Sequence, residues 1–468
     1  MASAPLHYWD LLELAAALRT GAVSPVAVTE TLLERIGALD ANLGSYVTLM
    51  ADHALAEART AATEIAAGRY RGPLHGVPVA VKDLCDASGV QSKAGMPRIR
   101  GSVAPATRDA TVVARLRAAG AIVLGKLQLT EGACAHHHPD VTPPVNPHHP
   151  GYWSGASSSG TGVAVAAGLC FGGLGSDTGG SIRFPSFANG VTGIKPTWGR
   201  VSRAGVFPLS PSLDHIGPMA RSAADCGAIL GAIAGADADD PTCLRAAVPD
   251  YLAGLDGDLR GLRIGFDERF ACIGVETQIA EAMRACVAVL EAAGATRVPL
   301  SFPPIDEVVG AWFPLCTGEV AAAHAQDFPS QASQYGPGLI GLLEAGHVAS
   351  AVDYARAHAI RQNFQGELAR VFSTVDVVVA PAWLRQNLTL AEFSRFGEQA
   401  TDWPEFIRYT SPFDVSGTPT ISLPAGFNAA GAPFGFQLAA GHLNEAVLVR
   451  AGHAWQLATS FHRQRPPL

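Results

Sequence analysis

The stretch Gly155 to Arg183, GASSSGTGVAVAAGLCFGGLGSDTGGSIR, limits what this chain can become more than any other segment does. A Gly/Ser knot, Gly155 to Gly162, opens it. An apolar run, Val163 to Leu169, follows, and a second glycine knot, Gly172 to Gly180, ends on Ser181. Glycine has no Cβ and takes positive φ readily, so such knots mark places where backbone approaches something closely. Each knot also sets serine or threonine hydroxyls beside bare backbone. A serine nucleophile needs that setting: an exposed Oγ, and N–H groups free to hold an oxyanion. In the second knot Thr178, Gly179, Gly180 and Ser181 offer consecutive N–H groups at a helix start, with Asp177 and Arg183 flanking them as an expected brace.

A serine hydroxyl is a weak nucleophile and needs a base. The residues alone leave two kinds open. Histidines cluster at His136 to His149, and His215 lies further on. The second kind is lysine. GVPVAVKD (Gly76 to Asp83) alternates and is rich in valine, so it predicts a strand over Val77 to Val81 with Lys82 at its end. An ammonium desolvated there shifts toward the neutral amine, which can accept a proton.

Several other chemistries find little support. The net charge is -8 and no basic stripe appears, which excludes a nucleic-acid role. No apolar run is long enough to span a bilayer, and the N-terminus has no signal-peptide pattern, so a cytoplasmic protein without membrane contact is expected. The eight cysteines form no CxxC pair and read as reduced, buried thiols. Cys85, just past Lys82, reads as packing at a strand end. GAIVLGKL (Gly120 to Leu127) mimics a phosphate loop but lacks the following Ser/Thr. Gly155 to Ser159 fails the G-x-S-x-G elbow at its last position. His136, His137, His138, Asp140, His148 and His149 offer zinc ligands on paper. They lack an HExxH or helical spacing, and the loop carrying them is proline-rich, so a substrate-entrance loop is the expectation and a metal-dependent hydrolase the alternative.

Strands alternate with helices along the chain, which predicts an α/β fold with a covered sheet. Helices are expected at Asp10 to Leu18, Ser24 to Leu39, Asp52 to Ala67, Leu127 to Ala135, Ser157 to Leu169, Arg221 to Ala234, Glu276 to Ala293, Ile305 to Gln326, Val352 to Phe372 and Leu443 to Leu457. Strands are expected at Ala121 to Leu124, Phe171 to Gly175, Val375 to Ala380, Thr418 to Pro424 and Phe434 to Ala439, the last two paired through an AAGAP turn.

GASSSG followed by GSDTGGSIRFPS resembles the amidase signature family, whose members are Ser-Ser-Lys hydrolases of amides and related acyl compounds. DTGGSIR, GVPVAVKD and the segment GVTGIKPTWGRVSRAGVFPLSPSLDHIGPMARS are similar to the family's corresponding stretches. A weaker likeness continues through YTSPFDVSGTPTISLP and PFGFQLAA. The resemblance implies one domain over residues 1–468 with a central mixed sheet covered by helices on both faces. Its parts would be N-terminal helices (1–70), a catalytic core (71–235), a helix-rich and mobile portion (236–372) and closing strands and helix (373–468). It further implies Ser181 as nucleophile, Ser157 on a cis peptide as bridging serine and Lys82 as base. Thr178, Gly179, Gly180 and Ser181 would form the oxyanion hole, with Ser158, Asp177 and Arg183 in support.

The implied activity is cleavage of C–N bonds in small amides or carbamates, esters included, through an acyl-enzyme and without cofactor or metal. The alternative within the family is the amidase subunit of an amidotransferase-type complex. GKLQLTEGACAHHHPD and PFDVSG, with Asp414, depart from common family patterns, and the 136–154 loop and SSSG knot look more like the urethanase and aryl-amidase subset. Cys134, Tyr152, Trp153 and Arg200 are the candidate substrate contacts, and a monomer or homodimer is expected.

Overall fold

The computed structural model describes residues 5–397, 399 and 402–468. Eleven strands form one sheet: β1 (Tyr46–Leu49), β2 (Pro78–Lys82), β3 (Ile122–Leu127), β4 (Gly172–Asp177), β5 (Thr192–Lys195), β6 (His215–Ala220), β7 (Arg263–Gly265), β8 (Thr296–Val298), β9 (Val377–Pro381), β10 (Thr420–Phe427) and β11 (Pro433–Ala440). Their spatial order is β1-β3-β2-β4-β6-β5-β10-β11-β9-β7-β8. The sheet is mixed. β2 runs parallel to both β3 and β4, and β7 parallel to both β8 and β9. The strands from β4 through β6, β5, β10 and β11 to β9 alternate antiparallel. Helices pack against the sheet, so its central strands are buried along their whole length, and the α/β fold with a single mixed sheet expected from the sequence is the one observed. Among the described residues no helix is long and apolar enough to cross a membrane.

The strand β6 was not legible locally. Gly217 and Pro218 lie in its middle, and both residue types argue against a central strand. The structure explains the glycine: a Cβ there would sit 2.0 Å from the Ile194 carbonyl oxygen, so only glycine lets β6 approach β5 this closely. The helix expected over Leu127 to Ala135 is also corrected. β3 runs on to Leu127, and only a 3-10 turn, Glu131–Ala133, follows. Gly132 and Ala133 both have positive φ, 54° and 63°, which no α-helix accommodates.

Three features position the site. The helix Ser159–Ala166 is buried throughout and lies against β2, β3 and β4. Its start is two residues later than expected; the Ala156–Ser157 peptide is cis, and Ser157 stands outside the helix. Next, β2 is sandwiched between β3 and β4, which brings its C-terminal Lys82 beside the end of β4. Last, the helices Asp306–Ala323, Pro337–Val348 and Ala351–Thr374 pack together, the first of them over the turn that follows β4.

Candidate active site

Lys82 ends β2 with no part of its side chain exposed. Its Nζ lies 2.6 Å from Ser157 Oγ, 2.8 Å from Ser158 Oγ and 2.8 Å from Ser176 Oγ. No carboxylate among the described residues hydrogen-bonds to it. Burial therefore decides its protonation and pulls the ammonium from 10.5 down to about 7, against the more distant pull of Asp177, Cys85 and Asp214. The surroundings suit a neutral amine, which has two N–H donors and one lone pair. Ser158 Oγ lies 3.3 Å from the Ser176 carbonyl, to which it donates, and so accepts from Lys82. Ser157 Oγ is free to donate to the lone pair. Ser176 was not singled out in the sequence. It precedes DTGGSIR by one position and becomes visible as a partner only once β4 lies beside β2.

The second knot forms the turn after β4. Asp177 ends the strand and accepts from the N–H groups of Gly180 (2.7 Å) and Ile182 (2.9 Å). Arg183 meets the same carboxylate through its backbone N–H (3.3 Å) and through two guanidinium contacts, Nη2 to Oδ1 at 2.8 Å and Nε to Oδ2 at 3.1 Å. Burial opposes ionisation of Asp177, but this guanidinium wins and holds the carboxyl well below its usual range. Distant parts of the chain clamp the turn. Trp312 Nε1 donates to the Thr178 carbonyl at 2.7 Å and Thr410 Oγ1 to the Gly179 carbonyl at 2.6 Å. Thr178 Oγ1 donates to Asp214 at 2.6 Å. Gly180 has φ 129°, and a Cβ there would lie 2.4 Å from the Phe184 ring, so the turn tolerates only glycine at this point.

One expected oxyanion donor is corrected by this geometry. The Gly180 N–H is taken by Asp177, while those of Thr178, Gly179 and Ser181 have no hydrogen-bond partner among the described residues. The two knots also meet directly, Ser158 N–H donating to the Ser181 carbonyl at 3.3 Å. Ser181 Oγ itself makes no hydrogen bond here, to Ser157 or to any other described residue.

Arg183 reaches further. Its Nη2 also lies 2.6 Å from Asp414 Oδ2, and its Nη1 contacts the Thr410 carbonyl at 2.9 Å and Gln437 Oε1 at 3.2 Å. Asp414 is fully buried next to a second carboxylate. Burial pushes its pKa well above the usual carboxylate range, which favours the protonated acid, with Arg183 opposing and Asp177 adding to the rise.

The histidines go elsewhere. His215 Nδ1 lies 3.1 Å from the Asp177 carbonyl and its Nε2 3.0 Å from Lys195 Nζ, inside the core. His137 Nε2 contacts Ser159 Oγ at 3.1 Å, His136 packs on Phe393 and Phe396, and His148 on Phe427. Among the described residues none of them hydrogen-bonds Ser157 or Ser181. Nor does any group of three His, Cys, Asp or Glu side chains there have the arrangement to hold a metal ion.

Of the four candidate substrate contacts, Cys134 alone lines the small cavity that Ser181 faces. Burial pushes its thiol up to about 12, so it is an apolar wall and no thiolate. Trp153 is buried behind that wall, its ring 6.0 Å from Phe184 and 5.6 Å from Phe406. Tyr152 bridges to Thr389 and stands edge-on to His149. Arg200 is enclosed away from the cavity. It donates to Tyr251 Oη (2.8 Å) and to the carbonyls of Ala246 (3.0 Å) and Ala247 (2.8 Å), which makes it a brace for that segment.

A protein of Mycobacterium tuberculosis (strain ATCC 25618 / H37Rv) assigned as the amidase AmiD is 45% identical over 459 residues, covering 98% of this chain and 96% of its own length. A glutamyl-tRNA(Gln) amidotransferase subunit from Azotobacter vinelandii is 35% identical over 489 residues, covering 98% and 99%. The solved peptide amidase from Stenotrophomonas maltophilia superposes with a TM-score of 0.81 at 31% identity, covering 98% of both chains. The sequence profile of the amidase family matches residues 27–449, and this chain belongs to the amidase signature family.

Proposed function

We propose that this enzyme, a hydrolase of C–N bonds, cleaves small amides and carbamates through an acyl-enzyme on Ser181, with Ser157 and Lys82 as proton relay. The observation that carries the reading is the buried Lys82 amine, hydrogen-bonded to three serine hydroxyls and to no carboxylate among the described residues. A lysine brought to about 7 is half neutral at neutral pH and is matched to proton transfer there.

Attack begins as the Ser181 proton passes to Ser157 Oγ and the Ser157 proton to the Lys82 lone pair. Ser181 Oγ bonds the carbonyl carbon, and the displaced electron pair becomes an oxyanion. The N–H groups of Thr178, Gly179 and Ser181 are the donors available for that charge, in a turn whose carbonyls are already pinned and which therefore does not reorganise. As the C–N bond breaks, the proton returns from Lys82 through Ser157 to the leaving nitrogen. Water then attacks the acyl-enzyme, giving up its proton to the same relay, and releases the acid. With a carbamate, breaking the C–N bond leaves an alkoxycarbonyl group on Ser181, and water releases it as a carbonate half-ester, which loses carbon dioxide to give the alcohol. Ser158 and Ser176 hold the lysine, and Asp177 with Arg183 holds the turn.

The test is covalent. A fluorophosphonate is expected to add one phosphonyl group at Ser181, read by peptide mass. Ser181→Ala should remove both the label and amide turnover, and Ser157→Ala should lower turnover by about 10²–10⁴. Unchanged turnover in Ser181→Ala would sink the proposal.

A second reading, the amidase subunit of an amidotransferase-type complex, draws on the 35% identity to a glutamyl-tRNA(Gln) amidotransferase subunit. It predicts that the isolated chain releases ammonia from glutamine and prefers it to aryl amides.

A further inference from the structure

Two cavities meet at the site, sharing Ala133 and Leu209. The first holds Ser181 and the backbone of Thr178 and Gly179. Its other walls include Trp312, Trp403, Phe184, Phe406, Ile407 and Leu342, and no described residue lining it carries a charge. The second, about 230 Å³, reaches Ser176, the serine bound to Lys82, and is lined by Arg203, Asp214, Asp239 and Asp240 among apolar residues.

We propose that the first cavity is the acyl pocket and that it selects an uncharged apolar acyl group, aromatic or alkyl, while rejecting acyl groups that bear a carboxylate or ammonium. The proposal rests on Ser181 being the nucleophile. A carbonyl carbon bonded to Ser181, with its oxygen on the turn's N–H groups, has two substituents left to place. The leaving nitrogen must be reached by the proton that Lys82 and Ser157 return; Ser176, which bonds the same Lys82, lines the second cavity, and the proposal assigns the leaving group to it. The acyl substituent takes the other.

That other cavity is built to stay apolar. Trp312 is fixed by its 2.7 Å hydrogen bond to the Thr178 carbonyl and stacks on Trp403, with ring centroids 6.2 Å apart and planes at 23°. Phe184 and Phe406, with ring centroids 4.4 Å apart, continue the wall from Trp403, whose ring stands edge-on to Phe406 at 6.4 Å. Trp312 Nε1 is spent on the turn, so the indole offers an arriving group a face and no donor. A carboxylate or ammonium entering here loses its water and finds no counter-charge among the described residues, and a buried ion without a partner is strongly disfavoured. The cavity volume is about 30 Å³, on a measure in which one water takes about 10–15 Å³, so it suits an acetyl-sized group and is too small for a hexanoyl or phenylbutanoyl chain. Leu342 and Trp403 are the half-exposed large members of the wall, so a longer acyl chain is expected to enter by displacing them. Both touch substrate in this account, so they set acyl size.

The test uses primary amides, so that ammonia is always the leaving group. Hexanamide and 4-phenylbutanamide are compared with glutamine and the monoamide of adipic acid by ammonia release. Neutral substrates are expected to exceed the charged ones by about 10³-fold or more in kcat/KM. Leu342→Arg, which places a cation at the rim, should raise the ratio of the adipic monoamide to hexanamide at least tenfold. Should that variant not fold, Trp403→Ala serves: it should raise 4-phenylbutanamide relative to acetamide. Glutamine or the adipic monoamide turned over within tenfold of hexanamide would overturn the pocket assignment. Fluorophosphonate labelling of Ser181 in the same preparation separates the two failures. Labelled enzyme that prefers charged acyl groups refutes the pocket alone, whereas unlabelled Ser181 refutes the acyl-enzyme reading beneath it.

Discussion

Replacing Lys82 with methionine separates what this lysine costs the fold from what it does for the reaction. In the unfolded chain its amine titrates at 10.5, and in the folded protein burial brings it to about 7. At pH 7 the folded state therefore holds the lysine at a cost of about 4 kcal/mol, at about 1.36 kcal/mol per pKa unit. Against this stand three hydrogen bonds to Ser157, Ser158 and Ser176, each contributing about 1 kcal/mol net. Methionine is similar in length, has no charge to desolvate and forfeits the three bonds. Lys82→Met is expected to be more stable than wild type by about 1 kcal/mol at pH 7. It should also lose about 10³-fold or more in amide turnover. The pH dependence gives the argument its sign. The folded-state pKa is lowered, so between pH 7 and 10.5 the unfolded chain binds the extra proton and the wild type gains stability as pH rises. The variant lacks this gain. Its advantage should shrink above pH 7, vanish near about pH 8 and become a deficit of about 1 kcal/mol at about pH 9. Urea midpoints of both proteins at pH 7 and 9 measure the gap, and ammonia release measures turnover. A wild type more stable than the variant by the same margin at both pH values would refute the reasoning, because it would mean that Lys82 titrates alike in the folded and unfolded chain.

Three further outcomes follow from the same geometry. kcat/KM should rise with pH through about 7, because the base must be neutral to accept the Ser157 proton; a flat profile from pH 5 to 9 would remove Lys82 from that role. Gly180→Ala puts a Cβ 2.4 Å from the Phe184 ring at φ 129°, and the displaced turn should cost about 10²–10³ in kcat while KM changes less. Asp414→Asn keeps an acceptor for Arg183 and a donor for Asp177, so stability within about 1 kcal/mol of wild type and near-full turnover are expected. Asp414→Ala leaves Arg183 short of an acceptor and should lower stability by about 1–3 kcal/mol. Equal damage from both Asp414 variants, read by urea midpoint, would show that the ionised carboxylate is what the site needs.

Much of this protein was legible locally. The two glycine knots, the valine-rich strand ending in Lys82, and most helices between Asp10 and Leu457 follow from residue patterns that act over one or two turns of chain. The brace between Asp177 and Arg183 was readable for the same reason, since both residues flank a single turn. Other features needed the folded chain. Whether histidine or lysine stands beside Ser157 is decided by sheet order, which puts β2 next to β4 and leaves His215 facing Lys195. Ser176 became a partner of Lys82 through the same adjacency. The strand β6 forms despite Gly217 and Pro218 because two neighbouring strands supply its pairing. The clamps on the turn after β4 and on Arg183 come from Trp312, Thr410, Asp414 and Gln437, well over a hundred residues away in the chain. Short-range sequence patterns reflect backbone propensity and which face of an element is apolar. They carry no record of which distant side chain will complete a buried polar group. The residues by themselves therefore determined where serine hydroxyls and bare backbone would lie together, and the tertiary structure decided which basic side chain, among those the residues left open and the resemblance narrowed to Lys82, stands beside Ser157 and which side chains line the cavity at Ser181.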